Sequence, residues 1–190
     1  MTERHRDERV IEACQNGDRE AFRLLFETYK DKIYSIALYT FGGNETAARD
    51  VAQQVFLKLL TTIKQFRRDA EFTTWLYRLV VNTCIDEQRK QRRFLPFGDV
   101  TEIRTSMSKR SQEEKFERVE MAESVREAIN QLKPKLRLPI LLKYIEGLSY
   151  EEIAEVLGCS KGTVASRLNR GHKRLAQSLG HLRGEIVQGE

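Results

Sequence analysis

The chain has 190 residues, 32% charged and 40% hydrophobic, with a net charge of +5 and a pI of about 9.1. That is a soluble globular balance for one ordinary domain or two small ones, leaning toward a polyanionic partner without proving one. No apolar run approaches the roughly 18 residues needed to span a bilayer, and the charged start from Met1 to Glu12 does not read as a secretory signal, so no membrane insertion and a cytoplasmic location are expected.

The first helical pattern is "AFRLLFETYKDKIYSIAL", which puts Phe22, Leu25, Phe26, Tyr29, Ile33 and Ile36 on one face. Next, "RDVAQQVFLKLLTTI" aligns Val51, Val55, Phe56, Leu59, Leu60 and Ile63. A third segment, "FTTWLYRLVVNTCIDEQRKQRR", is apolar in its first half and basic at its end. No alternating strand pattern bounded by hairpin turns appears, so the fold class is all-α.

The helical rhythm stops in "FLPFGDVTEIRTSMSKR", where Pro96 and Gly98 punctuate a run of small polar residues. Ser111 with Glu114 reads as a capping box that starts a new helix, with Phe116, Val119, Ala122, Val125, Ile129 and Leu132 facing inward. The chain therefore divides into a helical domain over 1–93, a flexible linker over 94–110 and a second helical domain over 111–190. One continuous bundle with a long loop is the alternative.

The most informative stretch is "LSYEEIAEVLGCSKGTVASRLNRGHKRL". Ser149 caps a short helix and Glu152 returns the bond, with Ile153, Ala154 and Leu157 inside. Gly158 suits the left-handed residue that ends it. Ser160 caps the following helix, whose Val164, Leu168 and Leu175 face inward. This is a helix-turn-helix, and its second helix exposes Lys161, Thr163, Ser166, Arg167, Arg170 and Lys173. Glutamates stay on the first helix, whereas no Asp or Glu occurs from Ser160 to Gly184. An element that approaches phosphates and base edges requires that asymmetry, because a carboxylate there is repelled.

Catalytic chemistry finds little support. There is no nucleophile–base pair, no phosphate loop and no cluster of carboxylates. Cys14, Cys84 and Cys159 are scattered and give no metal-ligand spacing with His5, His172 or His181. The thiols read as reduced packing residues, and no catalytic residue, metal or cofactor is expected.

The helix-turn-helix, with "GTVASRLNR" from Gly162 to Arg170 as its most specific piece, resembles the promoter-reading domain of bacterial sigma factors of the extracytoplasmic-function (ECF) group, in the sigma-70 family. In the N-terminal half "DVAQQVFLKL" looks like that family's core-polymerase-binding helix, and "FTTWLYRLVVNTCID" is similar to its −10-opening segment. The resemblance implies a region 2-like domain, a linker and a region 4-like domain in a protein that binds core RNA polymerase and directs promoter-specific initiation. It is not itself an enzyme. At the −10 element it implies Asn82 as base reader, the loop Lys64 to Ala70 with Arg67 and Arg68 as pocket wall, Trp75 and Tyr77 as stacking aromatics, and Arg89 and Lys90 along the phosphates. At the −35 element it implies Ser166, Arg167 and Arg170 as readers, with Lys161, Thr163 and Lys173 beside them. Polymerase binding falls to Asp50, Gln53, Gln54, Leu57 and Lys58, although Gln54 stands where the family usually has an acid. Gly171 replaces the family's usual alanine and is expected to cost about 1 kcal/mol of helix stability. The resemblance also implies an anti-sigma partner. A free-standing helix-turn-helix regulator acting as a dimer is the competing reading; it leaves the N-terminal segments without a purpose.

Overall fold

The structure, a computed structural model, describes residues 3–94 and 116–180. Within them all regular structure is helical. The first unit holds α1 (Glu3–Gln15), α2 (Arg19–Thr40), α3 (Glu45–Thr62), a short 3-10 turn (Ile63–Gln65) and α4 (Phe72–Phe94). The second holds α5 (Phe116–Gln131), α6 (Pro134–Tyr144), α7 (Tyr150–Leu157) and α8 (Lys161–Ser178). Phe94, expected to open the linker, is instead the last residue of α4; the rest of the expected linker and the Ser111–Glu114 capping box lie outside the described residues.

Local chemistry explains where these helices begin. Asp18 caps α2 by accepting from the backbone N–H of Glu20 at 2.8 Å and Ala21 at 3.1 Å. Asn44 caps α3 through the N–H of Ala47 at 3.0 Å. Between them the chain reverses at Gly42 and Gly43, both with positive φ, so α3 folds back on α2. Leu25, Ile33 and Ile36 then meet Val51, Val55, Leu59, Leu76 and Val80, all almost solvent-free. Cys84 lies in the same core and burial pushes its thiol up to about 12, as suits an inert packing residue.

The two apolar stripes are narrower than their periodicity indicates. Phe26 and Leu60, expected inside, are 37% and 51% exposed. Both sit at the edge of their stripe, where a turn of about 100° per residue carries them off the buried arc. On α7, Ile153 and Val156 are buried, whereas Ala154 and Leu157 are half-buried.

The two helical units pack on one another. α4 lies against α7 and α2 against α6, and one apolar cluster runs through both units. Arg137 of α6 is the polar centre of this contact. It is 7% exposed and donates to five backbone carbonyls. Three belong to its own unit: Ile129 at 3.0 Å, Leu132 at 2.7 Å, and Asn130. The others are Tyr39 at 2.6 Å and Thr40 at 3.2 Å, at the end of α2. The negative end of the α2 dipole and the free carbonyls of its last turn make this buried cation tolerable. Burial draws its pKa down to about 10, so it remains charged at neutral pH.

Candidate nucleic-acid interface

The helix-turn-helix is set by its caps. Ser149 Oγ accepts from the Glu152 N–H at 3.2 Å, and the Glu152 carboxylate accepts from the Ser149 N–H at 2.7 Å. The Ser149 hydroxyl also donates to that carboxylate at 2.7 Å, and this bond first, then the backbone one, holds the Glu152 carboxyl below its ordinary value. Gly158 closes α7 at φ 57° and ψ 43°, and Ser160 caps α8 through the Thr163 N–H at 3.2 Å. Val164 and Leu168 are buried, which fixes the face that α8 turns outward.

On that face Ser166, Arg170 and Lys173 are exposed, and Thr163 and Arg167 are half-buried, so these five share one side of a helix with no carboxylate of its own. Lys161 is exposed too, but it stands in the first turn half a turn out of phase with Arg170, on the side toward α7. Three of the six expected residues already have partners: the Thr163 hydroxyl lies 2.9 Å from Ser160 Oγ. Lys161 pairs with Glu151 of α7, which offsets the cost of a cation at the positive end of the α8 dipole and holds the Glu151 carboxyl low. Arg167 is drawn toward the turn, where its Nη1 lies 3.8 Å from Cys159 Sγ. Arg170 and Lys173 project freely from the middle of the helix.

In the first unit Asn82 is exposed on α4. Along the same face Arg89 lies 3.8 Å from Asp86, and Lys90 lies 3.5 Å from Glu87. These basic residues are therefore half-neutralised within their own helix. The loop after α3 carries exposed Lys64, Arg67 and Arg68, while Phe66 turns inward against Phe72 and Trp75, with ring centroids 5.4 and 5.5 Å away. Arg68 adopts a positive φ of 62° and reaches Glu12 of α1 at 3.5 Å. Gln15, also of α1, donates to the carbonyls of Ile63 at 3.0 Å and Phe66 at 2.9 Å. Sequence reasoning missed this clasp. Only a polar side chain some 50 positions from its partners signals it, and nothing in a linear pattern marks such a pair.

A cleft of about 150 Å³ opens beside this loop, walled by Tyr29, Phe66, Phe72, Arg68 and Ala70. Asn82 does not line it, so loop and amide are presented as separate features. Trp75 is half-buried, with its ring against Phe66 and Phe72. Tyr77 corrects the expectation of a stacking aromatic: it is 2% exposed, and its hydroxyl is hydrogen-bonded to Glu146 of the second unit. Its ring fills the core, because position 77 falls on the same α4 stripe as Val80 and Val81.

Of the residues expected to meet polymerase, Asp50, Gln53 and Leu57 are exposed on α3. Gln54 is half-buried, and Lys58 points toward α4, donating to Thr83 Oγ1 at 3.2 Å. Leu60 joins Leu57 on this face, and Phe26 leans on Phe56 at its edge with ring centroids 4.6 Å apart. Exposed leucines one turn apart, with an aromatic beside them, form an apolar patch that suits a protein partner. Leu60 and Phe26 escaped sequence reasoning because an apolar residue at stripe spacing reads as core.

Comparison with known proteins covers both units. The profile "Sigma-70 region 2" matches residues 25–94, and "Sigma-70, region 4" matches residues 122–175. The RNA polymerase sigma-H factor of Pseudomonas aeruginosa is 35% identical, covering 94% of this chain and 96% of that protein. The ECF RNA polymerase sigma factor SigW of Bacillus subtilis is 33% identical, covering 89% and 94% respectively. Among solved structures, CnrH in complex with the cytosolic domain of CnrY superposes with a TM-score of 0.66 at 27% identity, covering 92% of this chain and 97% of that one.

Proposed function

The chain belongs to the sigma-70 family of RNA polymerase sigma factors, in its extracytoplasmic-function group, and from that premise we propose that it docks on core RNA polymerase through α3 and reads a promoter through α4 and α8. The observation that carries this reading is the division of labour between the two exposed faces. α3 offers leucines at 55% and 51% exposure, fit for protein, and α8 offers cations and small hydroxyls with no acid, fit for DNA.

In this reading α8 enters the major groove at the −35 element. Arg170 and Ser166 meet base edges there, and Lys173 meets phosphate. Asn82 reads a base edge at the −10 element, where its amide can donate and accept together. The Lys64–Ala70 loop with Arg67 and Arg68, and the half-buried Trp75, support the unpaired strand through cations and stacking. Arg89 and Lys90 follow phosphates after trading Asp86 and Glu87 for DNA. Asp50, Gln53 and Leu57 dock on polymerase together with Leu60 and Phe26, while Gln54 and Lys58 flank them. Catalysis belongs to the polymerase, and this chain supplies its specificity. It works beside the polymerase in the cytoplasm. No helix of the described residues is long and apolar enough to cross a membrane. CnrH was solved with a second protein, the cytosolic domain of CnrY, and a protein partner of the anti-sigma kind is the one proposed for the free chain.

A free-standing dimeric regulator does not account for a relationship that spans both units. The test is transcription in vitro: core polymerase plus the purified chain, with the transcript ends sequenced. Promoter-dependent starts that require the chain, with altered −10 base preference for Asn82→Ala, support the reading. Failure to associate with core polymerase refutes it, and an unchanged preference removes Asn82 from the reader's role.

A further inference from the structure

We propose that Gln15 is a positioning residue for the −10 site: from α1 it holds the loop after α3 in the one shape that offers Lys64 and Arg67 to the unpaired strand. The inference rests on the reading of the Lys64–Ala70 loop as part of that site. α1 itself carries no residue of the promoter or polymerase surfaces proposed above. Its Gln15 nonetheless commits both hydrogens of one amide nitrogen to the loop, donating to the Ile63 carbonyl at 3.0 Å and the Phe66 carbonyl at 2.9 Å. The Ile63 carbonyl also accepts from the Phe66 N–H at 3.1 Å. One side chain thus fixes both ends of the 3-10 turn that follows α3, where the last carbonyls lack their usual helical donors.

The loop needs such a hold because its backbone is strained. Arg68 adopts a φ of 62°, a left-handed conformation that is costly for a residue other than glycine and persists only where its surroundings fix it. Its ion pair with Glu12, at 3.5 Å, joins two side chains that are each more than half exposed, so water screens it and it holds weakly. The firmer fastening is at Phe66, two residues earlier. Its ring is buried against Phe72 and Trp75, and its carbonyl is held by Gln15, so this residue is fixed by side chain and backbone at once. α1 also lines the neighbouring cleft with Glu8 and Ile11, beside Arg68 and Ala70 of the loop.

Lys64 stands between the two held carbonyls and Arg67 directly follows the second, and both cations are exposed. A loop already in its bound shape meets a strand without first having to be ordered. Once released, it offers that shape for only part of the time, and apparent affinity for the strand falls by the same fraction. Gln15 therefore acts on promoter use without touching DNA. A side chain that only accepts hydrogen bonds cannot replace it, because both of its partners are carbonyl oxygens.

The experiment compares the full chain with Gln15→Met, which keeps the length of the side chain and removes both donors. Hydrogen exchange of the free chain follows the Phe66 amide, which is bonded to the Ile63 carbonyl. In the variant this amide should exchange about tenfold faster, with the amides of α8 unchanged. With core polymerase, on a promoter mapped by the transcript sequencing above, the half-saturating promoter concentration should rise about tenfold while affinity for core stays the same. In a Lys64→Ala and Arg67→Ala background the same substitution should add almost nothing, because the groups it positions are gone. An unchanged Phe66 amide overturns the proposal, as does exchange that quickens throughout the chain. So does a fall in core affinity that accounts for the lost promoter use, or a full additional loss in the combined variant. A native chain that never binds core refutes the functional reading and the −10 role with it, whereas the Phe66 amide decides separately whether Gln15 orders the loop.

Discussion

Replacing Gly171 by alanine sets two effects of similar size against each other. Alanine inside a helix is favoured over glycine by about 1 kcal/mol, so the change looks stabilising on propensity alone. Here α8 crosses α6 at this residue. A Cβ added to Gly171 would sit 3.1 Å from Ile140 Cγ1, 3.2 Å from its Cδ1 and 3.6 Å from the Leu136 carbonyl oxygen. The first two contacts fall about half an ångström inside the best carbon–carbon separation. Ile140 is 3% exposed, and a β-branched side chain on a helix is stiff at χ1, so its Cγ1 cannot swing clear. Relief requires α8 to move away from α6, and overpacking of this kind costs about 1–3 kcal/mol. The overlap wins, and Gly171→Ala should destabilise the protein by about 1 kcal/mol, lowering Tm by about 3 °C. Urea unfolding followed by circular dichroism measures it. In an Ile140→Val background Cδ1 is gone and the penalty should shrink, giving a coupling of about 1 kcal/mol. If Gly171→Ala instead gains the full helix-propensity increment, the two helices separate freely and the close approach is not what calls for glycine.

The Ser149 cap carries a pH dependence. Its bonds depress the Glu152 pKa in the folded state, so they stabilise above the ordinary carboxyl range and are lost as pH falls through the folded value. Glu152→Gln should therefore cost about 0.5 kcal/mol at pH 7 and progressively less as the pH falls below the ordinary carboxyl range; a cost that does not change with pH would assign the effect to packing. Arg170→Ala should lower −35-dependent transcription about tenfold with core binding unchanged, and a lost core interaction would show that the residue supports the fold. Leu60→Glu should weaken co-elution with core polymerase about tenfold and leave the unfolding midpoint in place. A large fall in that midpoint would return Leu60 to the core.

Most of the α8 site is legible in the sequence because it is local. Cap, left-handed glycine and inward-facing Val164 and Leu168 fix which residues point outward, and those choices are made within one or two turns. The N-terminal site is less so. Leu60 and Phe26 share the spacing of core residues, and only the width of the neighbouring helix decides that they lie outside. Tyr77 fails in the opposite direction, since the ring that looked available for stacking is needed at the junction of the units. The Gln15 clasp on the loop after α3 joins residues too far apart in the chain for any periodic pattern to mark.

Helical class, the bipartite plan, the helix-turn-helix and its charge polarity follow from the order of residues, because hydrogen bonds within a turn and the 3.6-residue repeat are short-range. The folded chain alone decided how the units meet, where Arg137 finds its carbonyls and why a Cβ at position 171 crowds Ile140. Those outcomes depend on which surfaces come within a few ångströms after folding, a sum over distant neighbours that no segment carries by itself.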